Sequence, residues 1–234
     1  MGLVGRLAEL AACRGVLSAD AGDGAAAAVI TGAPGIGKTS VWRAVAESPP
    51  AGVVVLRTTG VAGGQAAFAN LADLLDPVAG QVLAGLPEAQ ARALRAALGL
   101  AVAEVPSGEA LLERAVVAAL ASLSRDGVVV AVDDVQWVDA DTGRLLEAAA
   151  VRLRDVPAWW LVAVRSGHAD RGLAGVLDHE LGERVSRVDL AGLDEAALSE
   201  LILARFSGRW SPGVLRQVVA LAAGSPYAAV ELAR

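Results

Sequence analysis

Four short runs along the chain are apolar at nearly every position: residues 25–30 (AAAAVI), 52–57 (GVVVLR), 128–132 (VVVAV) and 158–164 (AWWLVAV). A strand with one solvated face alternates apolar and polar residues, whereas a strand covered on both faces has no polar side to show. These runs therefore read as strands buried in a parallel sheet. Each follows a turn signal: the stretch from Asp20 to Gly24, Pro49-Pro50, Asp126-Gly127 and Pro157. A weaker fifth run, 184–190 (RVSRVDL), alternates imperfectly around Val185 and Val188.

Between the runs the period changes to that of a helix. Leu3, Leu7, Leu10 and Val16–Leu17 predict a short helix over 3–19. Others are predicted over 39–47, in an insert carrying Phe68, Leu71, Leu74 and Leu75, and over 87–100, 111–123 and 141–154. Strands alternating with helices predict a doubly wound α/β layer structure with right-handed crossovers. After Leu190 the strand pattern stops, and three helical stretches follow, separated at Gly208 and at Gly224-Ser225-Pro226. The shift divides an α/β core, residues 1–190, from a small helical subdomain, residues 191–234.

Composition narrows the class. With 234 residues, 55% of them hydrophobic and 20% charged, the chain can bury a sizeable core. No apolar run approaches the length of a membrane span. The one cysteine, Cys13, excludes an internal disulfide or a thiolate metal cage and fits a reducing cytoplasm. A soluble, cytoplasmic protein is expected. A net charge of −6 argues against an electrostatic grip on nucleic acid or an anionic membrane. Of the 20 basic residues only Lys38 is a lysine; the rest are arginines.

That lysine sits in GAPGIGKT, residues 32–39, which satisfies G-x-x-x-x-G-K-[ST]. The loop directly follows a buried run and opens a helix, the context its chemistry needs. Gly32, Gly35 and Gly37 let the backbone turn its N–H groups onto phosphate oxygens, and Ala33, Pro34, Ile36 and Ser40 complete the cradle. Lys38 reaches the β- and γ-phosphates as a mobile point charge that a guanidinium fork does not imitate. Thr39 offers a hydroxyl to Mg²⁺. A guanine-reading N-K-x-D segment is excluded, because there is no second lysine. AGGQ at 62–65 resembles a transporter-ATPase signature but lacks its leading Ser-Gly pair, and reads as a post-strand loop.

The run 128–134 ends in two carboxylates, the pattern of a Walker B strand. Asp133 is the expected Mg²⁺ ligand and Asp134 the group facing the attacking water. Many P-loop hydrolases carry glutamate at the second position; the shorter Asp134 points to slow turnover. Arg165 closes the fourth run, where ligands bind at the carboxyl ends of strands, so it is placed to sense the γ-phosphate. Asp139 and Asp141 precede a helix and read as N-caps rather than ligands. Trp159 and Trp160 read as core, Arg154 and Arg171 as surface charges, and His168 and His179 carry no partner pattern.

Taken together, GRLAEL (5–10), GAPGIGKTS (32–40), LPEAQARALRAALGL (86–100), VDDVQWVDADT (132–142), VAVR (162–165), LAGLDEAALSELI (190–202) and GSPYAAVELAR (224–234) resemble a known family. It is the N-terminal ATPase module of large ATP-binding LuxR-type transcriptional regulators, in the STAND branch of AAA+ proteins. The resemblance implies an ASCE-type sheet of order 5-1-4-3-2 with a helical lid, ATP or ADP with Mg²⁺ as cofactors, and Arg165 as the sensor arginine. It also implies that Pro226 leans on the nucleotide from the lid and that the backbone of Val4, Gly5 and Arg6 approaches the adenine. Such modules switch between an ADP-bound closed form and an ATP-bound form that self-associates. Their partners lie in helical-repeat sensor and helix-turn-helix regions of a longer protein. Direct DNA binding by this chain is not expected, since arginines and acids balance over 191–234. Two other readings stay open: a nucleotide-binding scaffold without meaningful hydrolysis, and a small-molecule P-loop kinase.

Overall fold

A computed structural model of the chain describes residues 3–17, 24–101, 108–125, 127–208 and 210–234. Five strands, β1 (Ala26–Gly32), β2 (Val54–Thr59), β3 (Val128–Asp133), β4 (Ala158–Arg165) and β5 (Val185–Leu190), form one parallel sheet. Their order is β2-β3-β4-β1-β5, which read from the other edge is 5-1-4-3-2. The three inner strands meet the expectation of burial on both faces: β1 and β3 are buried at every position, and β4 at every position before Arg165. The run at 52–57 does not: β2 is an edge strand that exposes Arg57 and Thr59. The imperfect alternation around 184–190 belongs to an edge strand, β5, which exposes Arg187 and Asp189.

Successive residues of each inner strand face opposite layers. Val129, Ala131 and Trp159 meet α1 (Leu7–Leu17) and α2 (Lys38–Ala46) on one side. Val128, Val130, Val132 and Trp160 meet the other layer. That layer comprises α3 (Ala69–Leu75), α4 (Ala79–Gly85), α5 (Glu88–Ala97), α6 (Glu109–Leu123), α7 (Ala140–Arg152) and α8 (Gly172–Leu181). Trp159 and Trp160 are thus core residues of two different layers. The last three helices, α9 (Glu195–Arg205), α10 (Pro212–Ala222) and α11 (Pro226–Leu232), enclose an apolar cluster of their own built on Leu198, Ile202, Val219 and Ala229.

Several expectations shift. The second strand begins at Val54 rather than at residue 52, because Gly52 takes a left-handed turn and Val53 N–H bonds back to Pro50 O. The helix expected over 87–100 stops at Ala97: Gly99 is left-handed, and Leu100 N–H closes onto Arg95 O at 2.9 Å. Helix α8 is absent from the sequence reading. Gly172 and Gly175 weaken its helical signal, yet Leu173, Ala174, Leu177 and Leu181 are buried at helical spacing. Residues 18–19 of the first helix, the turn residues 20–23 and Asp126 lie outside the described residues.

Candidate functional site

Parallel pairing in register delivers the chemistry to one sheet edge. Gly32, the last residue of β1, pairs with Arg165, the last of β4, and Asp133 at the end of β3 pairs with Thr59. The phosphate loop, the acidic pair and Arg165 therefore emerge side by side at the carboxyl ends of the strands.

The loop 32–39 turns through left-handed Gly35 and Gly37 into α2. Ile36 is buried in the core beneath it. Helix α2 is fixed to the sheet by Trp42, whose Nε1 donates to Leu161 O at 3.1 Å. The Lys38 ammonium donates to Gly32 O and Ala33 O, both at 3.0 Å, so it curls over the loop it serves. Burial lowers its pKa; Asp134 opposes this and Arg165 adds to it. From below, the buried Arg6 donates to Ile36 O at 3.1 Å and Ala191 O at 2.7 Å and pairs with Glu9 at 2.8 Å. Arg6 therefore ties the loop to the exit of β5. Val4 packs on the α9–α11 cluster, and Gly5 faces Leu193 and Ala197.

Asp133 is almost wholly buried, at 1% exposure. Its Oδ1 accepts Asp134 N–H at 2.9 Å, while its Oδ2 is buried without a partner. Burial pushes its carboxyl above the ordinary range, against the pull of the Thr39 hydroxyl. Asp134 stands in the left-handed region, φ 48° and ψ 50°. Its Oδ1 accepts Gln136 Nε2 at 2.7 Å, and Gln136 Oε1 accepts Arg165 N–H at 3.1 Å. The Arg165 guanidinium lies over the Trp137 ring, 5.4 Å from its centroid. Gly60 backs this loop: a Cβ there would stand 2.5–2.6 Å from the backbone of Asp134, Trp137 and Val138. Neither Gln136, within VDDVQWVDADT, nor Gly60 carries a role legible in the sequence. Both act through contacts that only the folded chain creates.

Asp139 is the N-cap of α7, as expected, and its side chain also reaches a distant segment. It accepts Thr142 N–H at 2.9 Å and Thr142 Oγ1 at 2.7 Å, together with Phe68 N–H and Asn70 N–H at 3.0 Å. Burial alone would raise its pKa; these donors outweigh it and hold the carboxyl below the ordinary range. Asp141 is no cap but pairs with Arg144 in the first turn, at 2.6 Å. Residues 62–65 form an irregular loop after β2, as expected.

The C-terminal helices supply the facing wall. Gly192 and Gly224 pass backbone to backbone, and Leu193 N–H bonds Gly224 O at 2.9 Å. This contact delivers the start of α11 to the phosphate loop, where Tyr227 N–H donates to Gly35 O at 3.2 Å. Between the walls lies a cleft of about 440 Å³. Pro34, Gly35, Gly37, Lys38, Thr39, Ser40, Asp134 and Arg165 line one side, and Leu201, Arg205, Pro226, Tyr227 and Arg234 the other. Asp133 lies beneath this surface, and Val4, Gly5 and Arg6 do not line it. Arg205 and Arg234 were not singled out from the sequence; Arg234 pairs with Glu231 at 2.9 Å. The Thr39 hydroxyl and the spare Asp133 oxygen are hard donors that suit Mg²⁺. No cluster of three or more His, Cys, Asp or Glu suited to a metal occurs among the described residues, so the ion's other ligands would come from phosphate and water. Among the described residues no helix is long and apolar enough to cross a membrane.

A family model described as an AAA ATPase domain matches residues 2–162. Among solved structures, the Aeropyrum pernix ORC1 protein in complex with DNA is similar at a TM-score of 0.65 and 22% identity, over 98% of this chain and 58% of that one. A Walker-type ATPase of Pyrococcus abyssi gives 0.60 and 15%, over 97% and 66%. AMPPCP-bound DnaA from Aquifex aeolicus gives 0.51 and 15%, over 99% and 61%. This chain thus spans about three fifths of the length of the ORC1 and DnaA chains. A search of curated proteins returns no match.

Proposed function

We propose that this chain, which belongs to the AAA ATPase domain family, is a switch module that binds Mg–ATP in the cleft and hydrolyses it slowly. The observation that carries the reading is the convergence of Lys38, Thr39, Asp133, Asp134 and Arg165 on one sheet edge, facing α9–α11. Residues 191–234 then act as a lid on the core, residues 1–190.

The roles follow from placement. Backbone N–H groups of the loop and the α2 N-terminus bind phosphate oxygens, and Lys38 leaves the carbonyls of Gly32 and Ala33 for the β- and γ-phosphates. Mg²⁺, held by Thr39 and Asp133, would neutralise phosphate charge when bound. Asp134 orients the water whose oxygen bonds to the γ-phosphorus while the bond to the bridging oxygen breaks, releasing ADP and a proton. Arg165 reads the γ-phosphate from β4, and Pro226 bounds the nucleotide from the lid. An adenine nucleotide is supported by the AMPPCP in the A. aeolicus DnaA structure.

The finer reading, a STAND-type module of a LuxR-type regulator acting in the cytoplasm, rests on the D-D-x-Q-W-x-D segment and the 86–100 insert. Nucleotide-dependent self-association and contacts with sensor and helix-turn-helix regions belong to it. DNA binding in the A. pernix ORC1 structure is a property of that protein. Here the charge of −6 argues that any DNA reader lies elsewhere. A scaffold reading has one observation in its favour: Asp134 already spends an oxygen on Gln136.

Equilibrium ATP binding and phosphate release test these roles together. Lys38→Ala should lose at least tenfold in ATP affinity, and Asp134→Asn should bind ATP normally while releasing phosphate at least tenfold more slowly. Unchanged affinity in the first overturns the binding site. Unchanged release in the second means that the Asp134 carboxylate is not catalytic, and no release from the unmodified chain leaves the scaffold reading.

A further inference from the structure

Gln136 joins the acidic strand end to the end of β4 by two hydrogen bonds. Its Nε2 donates to Asp134 Oδ1 at 2.7 Å, and its Oε1 accepts Arg165 N–H at 3.1 Å. A primary amide can donate and accept at once while staying neutral, which an ionised carboxylate of the same length cannot do.

The residue it holds needs holding. Asp134 sits at φ 48°, a left-handed conformation that the surroundings hold in place. Gly60 closes the space behind its backbone, and Asp133 Oδ1 accepts its N–H. These contacts fix the main chain but leave the carboxyl free to rotate. The Gln136 amide removes that freedom, and with Oδ1 taken the second oxygen is the one left to meet a water in the cleft.

We propose that Gln136 is the positioning residue for hydrolysis: it orients the Asp134 carboxylate and references it to the strand end that carries Arg165. The inference rests on the reading of Asp134 as the water-orienting group.

Two near-isosteres separate positioning from simple structural support. Gln136→Met fills the same space and loses both bonds. Gln136→Glu keeps an acceptor for Arg165 N–H and sets a carboxylate where the donor to Asp134 stood. Steady-state Mg–ATP hydrolysis and equilibrium binding of a fluorescent ADP are measured on the full chain for both variants and for Asp134→Asn. In both Gln136 variants kcat should fall at least tenfold, with KM and ADP affinity within about twofold of the starting protein. A Gln136→Glu variant hydrolysing at the original rate overturns the proposal, because the bond to β4 alone then suffices. Losses of ADP affinity and rate in parallel overturn it as well. If Asp134→Asn is slow while both Gln136 variants are fast, only the positioning role fails. If Asp134→Asn turns over normally, or the unmodified chain binds ATP and releases no phosphate, the reading beneath it fails too.

Discussion

At the scale of residues, each charge near the cleft has a distinct mechanical task. In the proposed role Lys38 moves from the loop carbonyls to phosphates, and a guanidinium, planar and forked, does not share that geometry. Lys38→Arg should therefore bind ATP at least tenfold more weakly despite keeping the charge, as titration calorimetry would show. Asp139 has a structural task, since it caps α7 and binds the turn that starts α3. Asp139→Ala should cost about 2–4 kcal/mol, the loss of a cap together with newly unpaired buried N–H groups. Because the folded carboxyl titrates below its unfolded value near 4, this stability is present above that value and fades as pH falls through the folded pKa. The gap in urea stability between the two proteins should accordingly narrow below about pH 4. A constant gap down to pH 2 would contradict that account.

Elements carry the geometry that single residues cannot. The three inner strands were legible because burial on both faces removes polar alternation, and the phosphate loop because its glycines and lysine fall at fixed spacing. Helix α8 was not, since its two glycines hide a buried face that only packing reveals. Gly60, Asn70 and Gln136 were missed for a shared reason: their partners lie on other elements or depend on a turn that sequence does not display. The resemblance implies that the backbone of Val4, Gly5 and Arg6 approaches the adenine; the Arg6 guanidinium has a further task that sequence does not display, binding the loop and the β5 exit. The junction of α11 with the phosphate loop is equally tertiary. At Gly35, with φ 73°, a Cβ would approach Tyr227 Cβ to 2.9 Å. Gly35→Ala should lose about 1–3 kcal/mol, from left-handed strain and from pushing α11 off the loop. Thermal unfolding of the nucleotide-free protein checks this, and an unchanged midpoint would show that the contact carries no weight.

For the whole molecule, the layer order, strand order and direction of all five strands follow from the pattern of apolar runs and the family resemblance. The helical lid is implied by the resemblance too; what sequence does not display is the contact that seats it, Gly192 against Gly224 and Tyr227 N–H on Gly35 O. A ligand seated between the two walls binds the folded state alone, so saturating Mg–ATP at about 100 times Kd should add roughly 2.7 kcal/mol of stability. For a chain of this length that corresponds to a rise in Tm of about 5–10 °C, which Lys38→Ala at the same ATP concentration should cut to about half or less. The most direct test uses the composition itself, because Lys38 is the chain's one lysine. An amine-reactive ATP analogue, followed by peptide mapping, should label Lys38 and, beyond the α-amino group, nothing else, and excess ATP should prevent that labelling. Labelling confined to the α-amino group, or a Lys38 signal that ATP does not protect, would contradict a nucleotide site at this loop.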